Sequence, residues 1–453
     1  MSSNYYITTP IYYVNDVPHI GHAYTTLACD VIARFKRLDG FNVFFLTGTD
    51  EHGQKVELAA KNKGVAPKEF VDEVSQNFRS LLKCMNFSND DFIRTTEKRH
   101  LNSCEKIWKK LLENGSIYLD KYSGWYSVRD EAFYSETEIV DGTAPSGAPV
   151  EWVEEPSYFF NLSKWEDKLL KFYEENNNFI LPNSRRNEVI SFVKGGLKDL
   201  SVSRTSFSWG VKVPNNDDHI MYVWLDALTN YLSACNYSSS ENDALSKFWP
   251  ADIHMVGKDI VRFHAVYWPA FLMAAELPLP KKIFAHGWWT NEGNKISKSL
   301  GNVIDPFDLV DKYGVDQIRY FLMREVPFGN DGDFSNSQLI NRINSDLANS
   351  YGNLFQRVMS MIFKNCNEVI PIRPNDFQDE DLKLINSIRN SLQNYRSLMD
   401  EQKFDQFLKN IWLVISDANK YVDNQAPWSL KKNDFQRMEV VLYTLIDLSL
   451  IHI

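Results

Sequence analysis

The sequence predicts an α/β protein in which a Rossmann-like parallel sheet is split by a small α+β insertion and followed by an all-α helical bundle. Strand-like and helix-like patterns alternate over the first 64 residues, which is typical of a parallel α/β sheet. Between 118 and 222 the pattern changes to short strand-like pieces broken by Gly and Pro. The α/β pattern then returns, and from about residue 340 it is helical with few glycines.

The first alternation can be followed along the chain. "NYYITTPIYYV" is aromatic and β-branched, which predicts a buried strand, and "AYTTLACDVIARFKRLDG" predicts a helix that stops at Gly40. "FNVFFLTGTDEHG" predicts a second strand that ends in a polar loop, and "QKVELAAKNKG" a second helix. Ligands bind at the carboxyl ends of parallel strands, so "HIGH" and "GTDEHG" are expected at one site.

The α/β pattern after the insertion has the same form. "ADIHMVGKDIVRFHAVYWPAFLMAA" predicts a strand, a turn and a helix, and "KKIFAHGWWTNEGNKISKSLGNVIDP" predicts a strand and a loop rich in Gly, Asn, Lys and Ser. No internal repeat or low-complexity tract is evident. The last residues, "VVLYTLIDLSLIHI", predict an apolar helix that either packs into the bundle or is covered by further chain.

Composition narrows the class of protein. The 453 residues are too many for one hydrophobic core, and 44% apolar with 24% charged residues is typical of a soluble globular protein. A net charge of −10 argues weakly against a nucleic-acid partner, because a local basic strip can still bind phosphates. The five cysteines form no CxxC, which favours a reducing cytoplasm. Neither a signal peptide nor a membrane span is indicated.

Two histidines lie where the first strand should give way to a helix. A helix N-terminus offers free N–H groups and partial positive charge to an anion, and Gly21 allows a ligand close to the backbone. His19 and His22 add donors that could face developing negative charge. The pattern alone supports only a nucleotide site, because two ordinary surface histidines would look the same.

A second candidate is the loop "GNKISKSLGN". Lys295 and Lys298 lie beside Ser297 and Ser299, and mobile cations beside small residues suit a phosphate clamp. Taken alone, this segment is as well explained by a solvated basic loop. Together with the histidine pair it predicts one bipartite triphosphate site.

"HIGH" and "KISKS" resemble the two signature motifs of class I aminoacyl-tRNA synthetases. The blocks "TTPIYYVNDVPHIGHAYT", "FLTGTDEHG", "YVWLDALTNY", "GKDIVRFHAVYWPAFL" and "ISKSLGN" narrow the resemblance to the methionyl-tRNA synthetase family. It covers residues 5 to about 430, with five separated blocks in the family's order and spacing. The segments it implies are 1–117 (first half of the catalytic domain), 118–222 (inserted domain), 223–290 (second half), 291–340 (KISKS loop and stem-contact region) and 341–453 (anticodon-binding domain).

The resemblance implies a methionine pocket. A thioether favours contact with aromatic rings, and the sequence supplies aromatic residues near the expected strand ends. The residues matching the family's pocket are Ile11, Tyr13, Asp50, Trp224, Tyr231, Ile260, His264 and Trp268. Asp50, with the backbone of Ile11, matches the acceptor for the amine. Asp226, in the same blocks, is expected to be structural.

The resemblance also implies the reaction. Methionine carboxylate attacks the α-phosphate of ATP in line, pyrophosphate leaves, and methionine is then transferred to the 2′-hydroxyl of the terminal tRNA adenosine. His19, His22 and Lys298 would stabilise the transition state with help from Lys295, while Mg²⁺ neutralises pyrophosphate. Besides His19, Gly21, His22 and Lys298, ATP would contact Gly257 and Asp259.

A tRNA partner follows from the helical region. Asn353, Arg357, Pro427 and Trp428 match the family's readers of the CAU anticodon, with Pro427 and Trp428 as a stacking plate for an unstacked base. The partners would be tRNA(Met), both initiator and elongator. The alternative is that Asn353 caps or packs a helix and that Trp428 lies in the bundle core. A cytoplasmic monomer is expected, without a membrane partner.

The sequence departs from the family in the inserted domain. Many members carry zinc-binding cysteines there, whereas Ser127, Asp130 and Ala144 lie near those positions. Zinc needs four well-placed N, S or O ligands, so we expect a zinc-free insertion held by packing or by salt bridges such as Arg129–Asp130.

Other functions share part of the pattern. The class I synthetases for leucine, isoleucine or valine carry the same motifs but normally a much larger insertion. A smaller nucleotidyltransferase would lack the helical domain, and a tRNA-binding protein without catalysis would not need the lysine loop.

Overall fold

The computed structural model describes residues 3–14, 17–130, 132–134, 136–238, 247–296 and 302–448. The chain forms two compact units. Unit 1 comprises Met1–Trp288 with Ile304–Phe307, and unit 2 comprises Trp289–Val303 with Asp308–Ile453. The predicted α/β architecture with a helical C-terminal region is confirmed. None of the helices in the described ranges is long and apolar enough to cross a membrane.

Unit 1 alternates strands and helices. Its strands are β1 (Asn4–Thr8), β2 (Tyr12–Tyr13), β3 (Asn42–Asp50), β4 (Asp91–Arg94), β5 (Ile117–Ser127), β6 (Ala132–Tyr134), β7 (Glu151–Phe160), β8 (Ile180–Leu181), β9 (Leu200–Ser201), β10 (Ser203–Arg204), β11 (Lys212–Val213), β12 (Asn216–Met221), β13 (Ile253–Gly257) and β14 (Ile283–His286). Its helices are α1 (Ile20–Leu38), α2 (Gln54–Lys63), α3 (Pro67–Cys84), α4 (Lys98–Glu113), α5 (Glu166–Glu175), α6 (Asn183–Lys194), α7 (Val223–Ser233) and α8 (Trp268–Ala274).

The remaining elements are mostly helical. The strands are β15 (Trp289–Asn291), β16 (Asn294–Lys295) and β17 (Gly332–Phe334). The helices are α9 (Pro306–Tyr313), α10 (Val315–Arg324), α11 (Asn336–Arg342), α12 (Asn353–Asn365), α13 (Asp379–Asp400), α14 (Phe404–Gln425), α15 (Pro427–Asn433) and α16 (Phe435–Asp447). A π-helical segment, Ile343–Gly352, precedes α12.

A seven-stranded parallel sheet organises unit 1. Its order is β2-β3-β1-β13-β14-β8, with β4 also pairing with β3. β1 lies between β3 on one side and β13 on the other, so the chain leaving its carboxyl end enters a topological switch point. Ligands bind at such points in open α/β sheets. The described residues that follow β1, 9–14 and 17–22, are therefore expected at a ligand site.

Helix α1 covers this sheet because its sequence has an apolar face. Leu27, Ala28 and Ile32 are buried, while Lys36 and Arg37 occupy the last turn, where cations suit the helix dipole. The helix ends just before Gly40, whose φ of +87° is a conformation that L side chains rarely adopt. The predicted helix over this region is confirmed.

The region predicted as an insertion contains two antiparallel sheets. The long pair β5–β7 lies inside a four-stranded sheet of order β6-β5-β7-β9, and β10-β12-β11 forms a three-stranded sheet. One strand of this region belongs to the main sheet of unit 1. β8 lies within 118–222 but pairs in parallel with β14, at the edge of the main sheet.

Unit 2 combines a small sheet, β16-β15-β17, with the predicted bundle. The bundle core includes Val358, Ile415 and Leu442. Inside it, Asp381 is fully buried and its Oδ2 lies 2.6 Å from Nη1 of Arg437. The apolar C-terminal segment packs into this bundle as far as Leu448, and 449–453 lie outside the described residues.

Candidate functional site

A cavity of about 470 Å³ lies at the carboxyl ends of β1, β3, β13 and β14. It is lined by residues from each of these strand ends, from α1, from α7 and from the inserted region. The lining comprises Pro10, Ile11, Tyr12, Tyr13, His19, Gly21, His22, Thr25, Asp50, Lys55, Asp130, Val223, Trp224, Ala227, Leu228, Asn230, Tyr231, Gly257, Asp259, Ile260, His264, His286 and Trp288. Its volume is in the range of a small-molecule site.

The "HIGH" turn forms the first turn of α1. His19 is the N-cap residue, and its Nδ1 accepts a hydrogen bond from the backbone N–H of Gly21 at 3.1 Å. Nδ1 of His22 accepts in turn from the backbone N–H of His19 at 3.1 Å. Two histidines thus do what Ser or Thr and Glu do in a common capping box. A Cβ at Gly21 would lie 2.9 Å from Cε1 of His19, so the cap itself requires glycine there.

This geometry fixes the protons of the two imidazoles. Desolvation, with a smaller effect of the neighbouring His19, lowers the pKa of His22 well below its usual value. A neutral ring whose Nδ1 accepts a hydrogen bond carries its proton on Nε2. The same reasoning applies to neutral His19. Each ring therefore provides one Nε2–H donor at the positive end of a helix, which is an arrangement suited to phosphate.

On the opposite side of the switch point, β13 ends at Gly257. A Cβ at Gly257 would lie 2.5 Å from Oδ1 of Asp259, so glycine is needed for this carboxylate to turn back towards the strand end. Nε1 of Trp288 donates a hydrogen bond to the same Oδ1 at 3.2 Å. Asp259 is exposed at the cavity, where an acceptor can meet a hydroxyl group of a ligand.

An aromatic wall closes another side of the cavity. The ring of Trp224 stacks on Phe263 with 3.5 Å between centroids and 7° between planes. Nδ1 of His264 donates to the carbonyl of Ile260 at 2.9 Å, and Nε2 of His264 accepts from the hydroxyl of Tyr231 at 2.8 Å. Burial lowers the pKa of His264 to about 4, so the ring is neutral at pH 7. The wall is polarizable and uncharged, as a thioether requires.

Most of the sequence-predicted residues meet in this cavity. Those that line it are Ile11, Tyr13, His19, Gly21, His22, Asp50, Trp224, Tyr231, Gly257, Asp259, Ile260 and His264. Asp50 places a nearly buried carboxylate, 8% exposed, at the end of β3. Such a group suits the ammonium of an amino acid.

Trp268 does not line the cavity. It is completely buried at the start of α8, where its ring lies 6.0 Å from the ring of Tyr231 and 6.1 Å from that of Trp249. The expected contact of Trp268 with methionine stays a prediction, and in the structure its ring packs beside that of Tyr231. Its position within the apolar block "AVYWPAFL" gave no means of telling the two faces apart.

The lysine loop belongs to unit 2 and is described only in part. The backbone of Lys295 lies in β16, paired with Thr290 of β15. Lys298 lies outside the described residues, as do Ser297 and Ser299.

Several lining residues were missed by the sequence reasoning. Ala227 and Leu228 follow Trp224 by three and four positions, so helical spacing through Tyr231 would have indicated them. His286 and Trp288 lie at the end of β14, where the rule for parallel strands points. Asp130, in contrast, comes from the inserted region, and no local signal indicated it.

Asp130 also bears on whether zinc fits the inserted region. Its Oδ2 accepts hydrogen bonds from the Tyr134 hydroxyl at 2.9 Å and from the Ser146 hydroxyl, and its backbone N–H donates to Oγ of Ser127. The expected ion pair is present, with Nε of Arg129 at 3.5 Å from Oδ1. One carboxylate and hydroxyl groups do not fit a four-ligand zinc site.

A second cavity, of about 200 Å³, lies in the bundle of unit 2 and includes Arg357, Pro427 and Trp428 in its lining. Trp428 is 47% exposed, so it does not belong to the bundle core. The guanidinium carbon of Arg357 lies 5.6 Å from the ring centroid of Trp428, and Nη2 of Arg357 pairs with Asp423 at 2.5 Å. Asn353 is exposed at the start of α12, outside this lining.

Known proteins resemble the chain over nearly its whole length. The family described as tRNA synthetases class I (M) matches residues 5–151 and 145–359, and that described as the anticodon binding domain of methionyl tRNA ligase matches 373–453. The methionine–tRNA ligase of Rickettsia conorii is 62% identical over 99% of this chain and 88% of its own length. That of Brucella suis is 54% identical over 97% and 86%.

Solved structures agree. Mycobacterium tuberculosis methionyl-tRNA synthetase in complex with methionyl-adenylate matches with a TM-score of 0.95 and 50% identity, covering 99% of this chain and 90% of that one. Its apo form matches with a TM-score of 0.88 and 47% identity, covering 99% and 88%. The chain therefore belongs to the methionine-specific family of class I tRNA synthetases.

Proposed function

We propose that this chain activates L-methionine with ATP, forming methionyl-adenylate and pyrophosphate, and then transfers methionine to the terminal adenosine of tRNA(Met). The observation that carries the proposal is one cavity in which a histidine-capped helix N-terminus faces an uncharged aromatic wall and a buried carboxylate. The first feature suits a phosphate, and the other two suit the ends of methionine.

Methionine would lie between Asp50 and the aromatic wall. The carboxylate of Asp50, with the backbone carbonyl of Ile11, would accept from the ammonium group. Tyr13, Trp224, Tyr231, Ile260 and His264 would surround the thioether, and Trp268 would hold Tyr231 in place. Neutral His264 matters here, because a charged ring would oppose an apolar thioether.

Activation is a phosphoryl-centre displacement that this geometry can assist without a covalent enzyme intermediate. A carboxylate oxygen of methionine bonds to the α-phosphorus as the bond from that phosphorus to the bridging oxygen breaks, and the electron pair leaves with pyrophosphate. His19 and His22 would donate Nε2–H to the phosphate oxygens, with Lys298 and Lys295 adding charge. Gly21, Gly257 and Asp259 would hold the nucleoside part. Mg²⁺, carried in with ATP, would supply positive charge for the departing pyrophosphate.

For the second step, we propose that Asn353, Arg357, Pro427 and Trp428 read the anticodon of initiator and elongator tRNA(Met). An exposed indole beside a guanidinium is suited to stacking an unpaired base. We further propose a cytoplasmic monomer without zinc in the inserted region, and the five-part division 1–117, 118–222, 223–290, 291–340 and 341–453. Stoichiometric zinc by metal analysis of the purified protein would contradict the zinc-free part of this proposal.

The decisive experiment is amino-acid-dependent ATP–pyrophosphate exchange with the purified chain, followed by aminoacylation of tRNA(Met). Methionine should drive exchange, and leucine, isoleucine and valine should not. The alternative is another class I synthetase for an aliphatic amino acid. Exchange driven by one of these three, with no response to methionine, would overturn the proposal.

A further inference from the structure

We propose that Asp226 is a positioning residue that fixes the two walls of the methionine subsite to each other through His52 and His100. This inference rests on the proposed function, because it names residues that control methionine binding without touching methionine. None of the three side chains was expected to take part in binding, and none of the three is among the residues that line the cavity.

The three side chains form a buried ionic cluster. Oδ2 of Asp226 lies 2.7 Å from Nδ1 of His52, and Oδ1 lies 2.6 Å from Nε2 of His100. The side chains of Asp226, His52 and His100 are 1%, 6% and 0% exposed. Water therefore cannot replace either bond, and each carboxylate oxygen is committed to a different partner.

The cluster joins segments that carry the proposed methionine contacts. His52 follows Asp50 by two residues at the end of β3, so its position limits that of the proposed amine acceptor. Asp226 lies on α7 between Trp224 and Ala227, both of which line the cavity. His100 lies on α4, and its Nδ1 is also 3.0 Å from Oγ of Ser233 on α7. Asp226 thus connects the polar end of the subsite with its aromatic wall.

The β3 side of this link is held independently. Glu51, between Asp50 and His52, lies with Oε1 2.6 Å from Nε of Arg94 and accepts from Thr96 at 2.6 Å. Loss of the Asp226 contacts would therefore leave the Asp50 segment anchored to β4, while α7 would lose its side-chain link to that segment. The predicted consequence is a change in the distance between the two walls rather than unfolding of either.

A metal ion is a poorer explanation of the same cluster. Sγ of Cys104 lies 3.2 Å from Nε2 of His100 and 3.7 Å from Oδ1 of Asp226, which would allow an ion to be considered. However, nitrogen and oxygen ligands about 2.0 Å from a tetrahedral zinc would be about 3.3 Å apart. The observed 2.6 Å and 2.7 Å are hydrogen-bond lengths. Burial also raises the pKa of Cys104, which keeps it a thiol.

The charge of Asp226 supports a hydrogen-bonded cluster without a metal ion. Burial alone would raise the pKa of Asp226. The charges and hydrogen bonds of His52 and His100 outweigh burial and hold this pKa below its usual value. Asp226 is then an anion that accepts from both rings. An amide at this position can accept through only one of its two ends.

The test compares His52→Ala with His52→Asn in methionine-dependent ATP–pyrophosphate exchange. The Nδ2 of asparagine can replace Nδ1–H of histidine as the donor to Asp226, whereas alanine cannot. We expect His52→Ala to raise KM for methionine about 10-fold or more and to leave KM for ATP within about twofold. His52→Asn should restore KM for methionine to within about threefold of wild type. Asp226→Asn should behave like His52→Ala or worse.

His219→Ala is the matched control, because His219 is also a buried histidine with a hydrogen bond, 2.9 Å from Oγ of Ser203, but lies away from the cavity lining. It should lower the thermal midpoint without changing KM for methionine. Unchanged methionine KM in folded His52→Ala would overturn the inference, as would equal impairment in His52→Asn. A metal found in wild type and lost in Asp226→Asn would also overturn it.

The wild-type protein separates this inference from the proposed function. Wild type without methionine-dependent exchange would overturn the function itself. Wild type with exchange, but with variants that behave like His219→Ala, would overturn only the role of Asp226. If Asp226→Asn does not fold, the two His52 variants decide.

Discussion

The cavity of unit 1 and the cavity in the bundle of unit 2 are built in opposite ways. The first contains polar side chains joined by buried hydrogen bonds, as in the Tyr231–His264–Ile260 chain. The second has an exposed indole, Trp428, beside an ion pair between half-buried Arg357 and exposed Asp423. The difference matches their proposed ligands. A small substrate in a chemical step needs fixed partners, whereas an unstacked base can order a surface as it binds.

The largest loss of activity should come from changes in the phosphate site at the first turn of α1. His22→Ala removes an Nε2–H donor, and we expect ATP–pyrophosphate exchange to fall by about 10²-fold or more. Loss of its part in the helix cap should cost only about 1 kcal/mol of folding stability. Lys298→Ala should give a similar loss of exchange. Near-normal exchange in both variants, with folding checked by circular dichroism, would contradict a preorganised phosphate site.

The second prediction concerns pH and tests whether the aromatic wall depends on a neutral ring. The folded-state pKa of His264 is about 4, below the value of about 6.5 in the unfolded chain. The unfolded chain therefore gains a proton first, and stability is lost as pH falls below about 6.5. His264 should account for about 2 kcal/mol between pH 6.5 and 5. Urea unfolding of wild type and His264→Gln measures it, and equal losses in both would refute the assignment.

A third prediction addresses the open cavity of the bundle. Trp428→Ala should lower kcat/KM for aminoacylation of tRNA(Met) about 10-fold, because one stacking surface is lost, while exchange stays within about twofold. Phe363→Ala is a suitable control, since Phe363 is 55% exposed in α12 but does not line the cavity. Equal losses of both activities would indicate that Trp428 is only structural.

The smallest effect is expected for Asp130, at the edge of the cavity of unit 1, and it concerns stability. Asp130→Ala removes the acceptor shared by Tyr134 and Ser146, and should lower the free energy of unfolding by about 1 kcal/mol. Added zinc should change neither wild type nor variant in thermal unfolding. Stabilisation of wild type by zinc that is lost on chelation would contradict the prediction that the Asp130 cluster does not bind zinc.

The sequence predicted what local patterns control, and little of what distant segments bring together. The strand before His19, the helix after it and the helix end at Gly40 followed from periodicity and turn chemistry. The resemblance to a family then supplied the pocket residues, most of which meet. The direction of the Trp268 ring could not be predicted from the sequence. Its neighbours are apolar and buried on all sides, so hydrophobic periodicity does not distinguish the cavity side from the core side. The contact between His100 and Asp226 joins residues 126 positions apart, so no local pattern reveals it.

The histidine cap of α1 has a consequence for how the protein meets its substrate. No acidic residue occupies the first turn of α1, and the carboxylate that acts on the His19 ring, that of Asp259, comes from another segment. A bound triphosphate would add negative charge at the positive end of α1. Its binding would therefore stabilise this helix. Nucleotide binding and the stability of α1 are then two measures of one equilibrium.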